Sequence, residues 1–274
     1  MRRLLTLSLG LVATGYLVVA CSKVPILGRR QLNVIPDAIM LPIGTSAYAS
    51  TLAGLQIAQR GEKHDTIQDV GERIAKVAGS QRYDWEFALV RDDETLNAWA
   101  LPGGKVAVYS GLLPVCRNEA GLAFIMAHEA GHVVARHGSE RLSQQIAVLG
   151  GLAGLYLFLD NKTELSQEQQ AIILAAAGVG SEVGLVLPFS RKHEREADVI
   201  GMMYMAGAGY PPQQAIDIWT RMENAGSGSA LPAFLSTHPS HDDRQENLQE
   251  WLPKAERRWE RNQLERDTTN ALWK

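Results

Sequence analysis

The chain has 274 residues, of which 46% are hydrophobic and 21% are charged, so it can bury one sizeable core. Its formal net charge at pH 7 is -3, and only 7% of its residues are aromatic. A nucleic-acid-binding surface needs a basic patch and stacking side chains, so this class of function is disfavoured. The sequence contains no internal repeat and no long low-complexity tract, which argues against a repeat architecture.

The first residues have the layout of an export signal. Two arginines precede an apolar stretch from Leu4 to Ala20, and Cys21 follows directly. A positive start, an apolar middle and a small residue before the cleavage point are typical of secretory signals. The sequence LVVAC resembles a bacterial lipobox, and Ser22 resembles the outer-membrane sorting signal of Gram-negative lipoproteins. We therefore predict a signal peptide over 1–20 and a lipid on Cys21. An uncleaved membrane anchor or cleavage elsewhere are the alternatives.

The first third of the mature chain mixes helical and extended patterns. Segment 21–43 is punctuated by prolines, and we expect it to follow the surface as a lipid-anchored link. Residues 45–60 and 66–79 are predicted to be helices, because apolar residues recur every three to four positions. Two short β-like runs come next, over 85–93 and 97–111. These runs predict one small sheet.

The remainder of the chain is predicted to be helical. Helical patterns run from 118 to about 145, over 190–209, from the Pro211-Pro212 pair onward, and along the charged tail 242–274. The chain is therefore expected to have an α+β fold that is mostly helical. Cys116 lies in an apolar setting and is expected to be a buried core residue. If Cys21 carries a lipid, Cys116 has no partner for an intrachain disulfide.

The stretch AHEAGHVVARH, residues 127–137, contains the pattern His-Glu-x-x-His. Four residues of helix turn about 400° and rise about 6 Å, so His128 and His132 leave from one face. One Zn²⁺ can bind both imidazoles at about 2.0–2.1 Å. Glu129, one step round the helix, is placed to take a proton from a metal-bound water. His137 is expected to face elsewhere, as a solvated or capping histidine near the helix end.

An ordinary amphipathic helix with these polar residues on its wet face is the alternative. Against it, the residues around the motif are apolar, LAFIMAHEAGHVVA, and buried polar groups there would need compensation. A metal supplies that compensation, so we predict one zinc ion per chain. A catalytic zinc needs a third protein ligand and an open fourth position. His193, His238, His241 and the acidic residues near them are the downstream candidates.

With HEAGH upstream, the stretch SRKHEREADVIG at 190–201 resembles the zinc metallopeptidases of family forty-eight. These include the HtpX proteases, the CaaX prenyl proteases and the mitochondrial Oma-type enzymes. The lipobox makes the chain similar to bacterial lipoprotein members of this family, periplasmic proteases tethered to the outer membrane. The resemblance runs from about 31 to about 244 and implies a gluzincin-like domain with an active-site HExxH helix. We expect that domain over 44–250 and a charged C-terminal helix over 251–274.

In that family a second helix carries S-R-x-x-E-x-x-A-D, in which the Glu is the third zinc ligand. The resemblance therefore implies that Glu194 binds zinc and that Asp198 supports the site or donates a proton. The spacing agrees, because residues four apart share a helix face and a carboxylate can fix the tautomer of a ligating histidine. His193 is the rival ligand. Glu196 is expected to be solvated or paired with a neighbouring arginine, Arg191 or Arg195.

A later element, STHPSHDDR, resembles the Thr-His-Pro element of the family. The resemblance implies that His238 stabilises the oxyanion of the tetrahedral intermediate. A turn histidine before Pro239 is the alternative. Arg244 resembles a residue that anchors this late loop, and His241 is expected to lie on the surface.

The stretch LNAWALPGGKVAVYSGLL also resembles the family, which implies an edge strand, with Asn97, Ala98 and Ala100, that pairs with an extended substrate. Apolar blocks over 146–159 and 171–180 lie between the two predicted ligand helices. The first has 14 residues, fewer than the ~20 that a membrane-spanning helix needs. We expect a hairpin packed over the cleft that could reach the lipid surface, with a spanning pair as the alternative.

These features predict a membrane-tethered zinc endopeptidase of the bacterial periplasm. Zinc would polarise the scissile carbonyl, and Glu129 would move the proton from water to the leaving amine. The resemblance alone implies misfolded or misassembled envelope proteins as substrates. The alternative is a chaperone-like lipoprotein that binds unfolded outer-membrane proteins without cleaving them. A zinc hydrolase of non-peptide bonds is a third reading, disfavoured by the predicted edge strand.

Overall fold

The structure is a computed structural model that describes residues 21–79, 81–160, 189–225, 232–238 and 243–262. The predicted signal peptide 1–20, the apolar block 171–180, His241 and the last part of the charged tail lie outside the described residues. Among the described helices, none combines the length and apolar character needed to cross a membrane.

Helices form most of the described structure, as the sequence predicts. They are α1 (Asp37–Ala53), α2 (Glu62–Ala78), α3 (Leu113–Cys116), α4 (Glu119–Val134), α5 (His137–Asp160), α6 (Arg191–Gly207), α7 (Gln214–Ala225), α8 (Pro232–Thr237) and α9 (Asp243–Glu260). The strands are β1 (Cys21–Lys23), β2 (Arg30–Leu32), β3 (Glu86–Val90), β4 (Ala98–Leu101) and β5 (Lys105–Tyr109). The prediction of a mostly helical α+β fold is confirmed.

The strands form two small sheets. β1 and β2 make an antiparallel hairpin in which Cys21 faces Leu32. The other sheet has the order β3-β5-β4, with β3 parallel to β5 and β4 antiparallel to it. β4 is therefore an edge strand of this sheet, as expected for the segment around Ala98.

α1 begins earlier than the sequence pattern predicts. The predicted surface segment 21–43 instead contains the β1–β2 hairpin and the first turns of α1, which starts at Asp37 and ends at Ala53. Pro36 is the residue that precedes α1, and Pro42 lies inside it. The missing N–H of Pro36 costs little, because the first donors of a helix have no intrahelical partner, whereas Pro42 removes one bond from α1 without ending the helix.

α4 is the centre of the core. Its residues Leu122, Phe124 and Met126 are fully buried, and the helix packs against α2, α6 and β4. The side chain of Asn118 accepts a hydrogen bond from the N–H of Gly121 and so caps the start of the helix. A helix that is apolar on every side is stable only when other elements surround it. Polar groups on α4 are consequently placed in the interior.

The predicted helix over 118–145 is wrong as one element, because it is divided at Arg136. This residue has φ 56, the left-handed conformation that ends a helix. Its guanidinium is held in place by Asp37 at 2.7 Å and by the carbonyl of Ile35 at 3.1 Å. α5 then leaves in a new direction from His137.

α9 packs along α6 and runs through position 250 without a break. Its buried residues Arg244, Leu248 and Ala255 tie the charged helix to the rest of the protein. Cys116, at the end of α3, is fully buried and free, as predicted. Burial raises the pKa of its thiol to about 12.

Candidate active site

Four buried side chains from three parts of the chain meet at α4. His128 and His132 come from α4, Glu194 from the first turn of α6, and His238 follows α8. One ligand atom from each lies within 4.8 Å of the others. The structure thus brings together the three predicted zinc ligands and the predicted oxyanion residue.

The three predicted ligands have the spacing of a tetrahedral metal site. The Nε2 atoms of His128 and His132 are 3.1 Å apart, and they lie 3.5 and 3.4 Å from the carboxylate oxygens of Glu194. Ligands bound at about 2.05 Å around a tetrahedral zinc are about 3.3 Å from one another. Oε1 of Glu194 is buried and has no hydrogen-bond partner. The residues therefore fit a zinc ion.

The charges around these ligands also favour a divalent cation. Glu129, Glu194 and Asp198 are all buried, and the guanidinium of Arg244 is the buried counter-charge beside Asp198 and Glu194. With neutral histidines, three carboxylates and one guanidinium leave two uncompensated negative charges. Buried charges need such compensation, and one Zn²⁺ supplies it.

The pKa values of the ligand side chains are shifted by this burial and by these neighbouring charges. Burial lowers the pKa of His128, but hydrogen bonds to Asp198 and Glu194 outweigh it and raise the value to about 9. Burial raises the pKa of Glu194, but His238 and His128 hold it well below its usual range. Burial lowers the pKa of His132 well below its usual value, so this ring is neutral, as a metal ligand must be.

Asp198 lies behind the ligands, one turn after Glu194. Its Oδ1 is 3.0 Å from Nδ1 of His128, the ring nitrogen that faces away from the cluster. Arg244 holds this carboxylate with two hydrogen bonds, both of 2.7 Å. The late element containing Arg244 is thereby fixed to α6. A carboxylate in this position sets the tautomer and orientation of a ligating histidine.

Glu129 lies beside the cluster without joining it. Its Oε1 is 3.3 Å from Nε2 of His238 and has no hydrogen-bond partner. Burial raises the pKa of this carboxyl group. Nδ1 of His238 is 3.3 Å from both His128 Nε2 and Glu194 Oε2, so His238 is also close enough to act as a fourth metal ligand.

Two sequence predictions about this region are wrong. His137 is fully buried instead of solvated, and its Nδ1 is 3.0 Å from Nδ1 of His132. Glu196 is also buried, and its partners are His137 and Arg29 instead of Arg191 or Arg195. The left-handed residue before α5 turns His137 inward, a change of direction that a continuous helical pattern does not show.

His193, the rival ligand, points away from the cluster. Its Nε2 lies 3.1 Å from Oε2 of Glu140 on α5. Glu140 in turn accepts hydrogen bonds from Arg29 at 2.6 and 2.8 Å. Sequence reasoning missed both Arg29 and Glu140, because no periodicity or motif connects the N-terminal hairpin with α5.

β4 and the cluster border the same cavity, of about 200 Å³. Its lining includes Asn97, Trp99, Ala100, Glu129 and His238. Within the β4–β5 ladder, the N–H of Tyr109 donates to the carbonyl of Asn97, and alternate residues share that direction. The backbone groups of Ala98 and Ala100 therefore face the free edge.

Phe189 is a further residue that the sequence did not identify. Its ring stacks on His132 with centroids 3.9 Å apart. It lines the cavity described above and also a second one with Leu101, Pro102 and His132. An isolated phenylalanine before a helix gives no signal of such a role.

The comparisons with known proteins agree with this geometry. The profile of peptidase family M48 matches residues 62–252. The mitochondrial metalloendopeptidase OMA1 of Schizosaccharomyces pombe is 36% identical over 268 residues, which cover 95% of this chain and 74% of the relative. The chain belongs to peptidase family M48. The predicted family, the enzyme class of zinc metalloendopeptidase and the zinc cofactor are thereby confirmed.

Two further relatives show the breadth of this similarity. The mitochondrial metalloendopeptidase OMA1 of Saccharomyces cerevisiae is 32% identical over 258 residues, which cover 88% of this chain and 71% of the relative. The beta-barrel assembly-enhancing protease of Escherichia coli is 28% identical over 257 residues, which cover 85% of this chain and 50% of the relative. The chain thus spans only half the length of that bacterial protein.

Proposed function

We propose that this M48 metalloendopeptidase uses His128, His132 and Glu194 as its zinc ligands and Glu129 as its general base. The observation that carries the proposal is the tetrahedral spacing of the three ligand side chains, at 3.1, 3.4 and 3.5 Å. Zinc bound there supplies Lewis-acid polarisation of the scissile carbonyl and lowers the pKa of water.

The residues around the ligands have the other roles in the reaction. Glu129 accepts the proton of the attacking water and passes it to the leaving amine. His238, whose Nε2 faces Glu129, donates a hydrogen bond to the oxyanion. Asp198 keeps the ring of His128 in the tautomer whose Nε2 is free to bind the metal. The stacked ring of Phe189 covers one side of His132 and limits access of bulk water.

β4 is the proposed binding edge for the substrate. An extended peptide that pairs with Ala98 and Ala100 would lie in the cavity that contains Glu129 and His238. Backbone pairing is independent of side-chain identity, so this edge suits unfolded segments of varied sequence. Trp99 and Leu101 line the same cavity and offer apolar contacts for substrate side chains.

The proposed location is the bacterial cell envelope, with Cys21 lipidated and the catalytic domain in the periplasm at the outer membrane. The export signal and lipobox in the sequence support this location. The proposed substrates are misfolded or misassembled envelope proteins. Support comes from the Escherichia coli relative, whose name is beta-barrel assembly-enhancing protease.

A chaperone-like protein that binds without cleavage is the competing function, favoured by the position of β4 at the edge of the sheet that the described strands form. Digestion of casein with and without a chelator separates the two. The proposed enzyme cleaves casein, and the chelator abolishes cleavage. The chaperone would bind casein and leave it intact in both conditions.

Glu129→Gln gives the sharper test. Glutamine keeps the shape of the side chain but cannot act as a base, so zinc content and folding should match those of the wild type. Turnover of a quenched peptide should fall by about 10²–10⁴-fold. His64→Gln, on α2, is the control that should leave turnover unchanged. Near-normal turnover in zinc-loaded Glu129→Gln would overturn the assigned mechanism.

The same variant can identify the substrates. Glu129→Gln should retain uncleaved partners that co-purify with it from cells, because binding at β4 does not need the base. Outer-membrane proteins enriched over the wild type would support the proposed substrate class. Enrichment restricted to proteins of another compartment would refute it.

A further inference from the structure

We infer that His137 is a positioning residue for His132 and that Arg29 on the N-terminal hairpin holds this positioning chain in place. The inference rests on the proposed role of His132 as a zinc ligand. The chain runs from His132 through His137 to Glu196 and ends at Arg29. The four side chains come from different elements or turns, so they meet only in the folded structure.

The hydrogen bonds have one consistent direction. A histidine that binds a metal through Nε2 carries its proton on Nδ1, and Nδ1 of His132 lies 3.0 Å from Nδ1 of His137. His137 must then accept at Nδ1 and carry its own proton on Nε2. That nitrogen is 3.0 Å from Oε2 of Glu196, which can only accept when ionised. The carboxylate therefore sets the tautomers of both rings.

Arg29 completes this arrangement. Its guanidinium is bidentate on Glu196, with Nη2 at 2.8 Å from Oε2, and it also binds both oxygens of Glu140. Gln31 adds a bond of 2.7 Å to the carbonyl of Ala135, just after α4. The hairpin that begins at Cys21 is thus attached to the helices that carry the proposed ligands.

The two proposed histidine ligands are supported in parallel ways. His128 has Asp198 behind it, and Arg244 holds Asp198 with two bonds of 2.7 Å. His132 has the pair of His137 and Glu196 behind it, with Arg29 in the place of Arg244. The hydrogen bonds behind each ligand ring therefore lead to a carboxylate that an arginine holds in place. The second series of hydrogen bonds is one ring longer, because His137 stands between His132 and its carboxylate, Glu196.

The neighbouring acids and histidines do not form a second metal site. The guanidinium of Arg29 lies between Glu140 and Glu196 and supplies the positive charge that a metal would provide. His193 faces Glu140 from the other side. These residues form a network of hydrogen bonds that fixes the orientation of the His132 ring.

The test is the zinc affinity of purified, unlipidated protein, measured by competition with a chromogenic chelator and without any peptide substrate. His137→Phe removes both hydrogen bonds and should weaken zinc binding by about 10–100-fold. His137→Asn keeps an acceptor near the position of Nδ1 and should restore part of that loss. Arg29→Gln should weaken binding less, because Glu196 remains.

Arg30→Gln is the matched control, since it makes the same change one residue away on an exposed side chain. It should leave zinc affinity unchanged. The double variant of His137→Phe with Arg29→Gln should bind zinc no more weakly than His137→Phe alone, because both act through one chain. If each substitution instead acted by a general loss of structure, the two losses of zinc affinity would add.

The outcomes separate this inference from the proposed ligand set. A wild-type chain that does not bind zinc tightly would overturn the ligand set and this inference together. Tight binding by the wild type with unchanged affinity in His137→Phe and Arg29→Gln would overturn this inference alone. If His137→Phe does not fold, Arg29→Gln decides. Weaker zinc binding by Arg29→Gln than by Arg30→Gln supports the positioning role of His137 and Arg29. Equal zinc binding by Arg29→Gln and Arg30→Gln rejects it.

Discussion

At the scale of single residues, the active site shows how buried charge is distributed. Glu194 and Asp198 are fully buried on the same face of α6, and each contacts a histidine and Arg244. An isolated carboxylate at such depth would be very costly. The polar residues of this helix are therefore tolerated only as one connected set. Loss of any member leaves its partners unsatisfied, which makes each member testable by substitution.

The identity of the third ligand is the first prediction. His128→Ala, His132→Ala and Glu194→Ala should each lower the zinc content of the purified protein well below one per chain. His193→Ala is the matched control from the adjacent position, because its ring faces Glu140. Metal analysis of the four variants decides the assignment. Full zinc in Glu194→Ala together with loss in His193→Ala would show that the rival ligand is the true one.

At the scale of elements, the close approach of α4 and α6 positions the ligands. Gly201 lies against the backbone of His128, where an added Cβ would be 2.9 Å from the amide nitrogen. Gly131 faces Ala197 in the same way, at 3.0 Å from its carbonyl oxygen. Small residues on both helices thus allow a separation at which side chains from each can bind one ion.

This packing gives the second prediction. Gly201→Ala should destabilise the protein by about 1–3 kcal/mol, because the added methyl group displaces the backbone of His128. Zinc affinity should fall with it. Gly54→Ala is the control, since nothing lies within 4 Å of a Cβ at that position. Urea unfolding of the three proteins measures the effect. Equal stability of Gly201→Ala and Gly54→Ala would mean that α4 and α6 can move apart to admit a methyl group without cost.

The free edge of β4 gives the third prediction. Ala100→Pro removes an N–H that faces the cavity and is not needed by β5, so the sheet should remain intact. A lost backbone hydrogen bond is worth about 0.5–1.5 kcal/mol, so kcat/KM should fall by about 2–10-fold or more with unchanged zinc content. Ala100→Ser keeps the N–H and serves as the control. An unaffected kcat/KM in Ala100→Pro would argue against substrate pairing at this edge.

The sequence predicts the site where its residues are local and misses it where they are distant. His128, Glu129 and His132 follow from helical spacing within one turn, and Glu194 and Asp198 follow from the same rule together with the family resemblance. Arg29 and Glu196 are separated by 167 residues, and no local pattern records their contact.

Helix boundaries show the same limit. The division of the predicted helix at Arg136 depends on contacts with Asp37 and Ile35, which belong to a distant part of the chain. The early start of α1 was hidden by Pro36 and Pro42, which usually mark irregular segments. Periodicity predicted the type of the longer helices and of the central sheet but not the β1–β2 hairpin, and tertiary contacts determined where several elements begin and end.

At the scale of the whole molecule, the β1–β2 hairpin connects the start of the described chain with the active-site helices. Val24 is buried in the core, and the polar side chains of the hairpin bind α4, α5 and α6. If Cys21 carries a lipid, the short hairpin leaves the catalytic domain close to the membrane surface. The cleft would then be held near substrates that are themselves in or at the membrane.

Lipidation is the fourth prediction. Mass spectrometry of the mature protein should find Cys21 as a lipid-modified N-terminal residue, and Cys21→Ala should move the protein to the soluble fraction or leave it as precursor. The hairpin should remain folded in that variant, because the side chain of Gln31 is bonded to Ser22 and to the carbonyl of Ala135 and Val24 is buried in the core. An unmodified N-terminus at another position would exclude the lipid anchor.

Zinc should also stabilise the whole protein, which is the fifth prediction. A ligand that binds only the folded state adds about 2.7 kcal/mol at a free concentration 100 times its Kd. A chain of this size gains about 2–4 °C in Tm per kcal/mol, so removal of zinc by a chelator should lower Tm by about 5–11 °C. Glu129→Gln should show the same shift, because the base is not a ligand. Glu194→Ala should show almost none. A Tm that is unchanged by complete removal of zinc from the wild type would place the metal outside this buried cluster, since an ion that binds only the folded state must stabilise it.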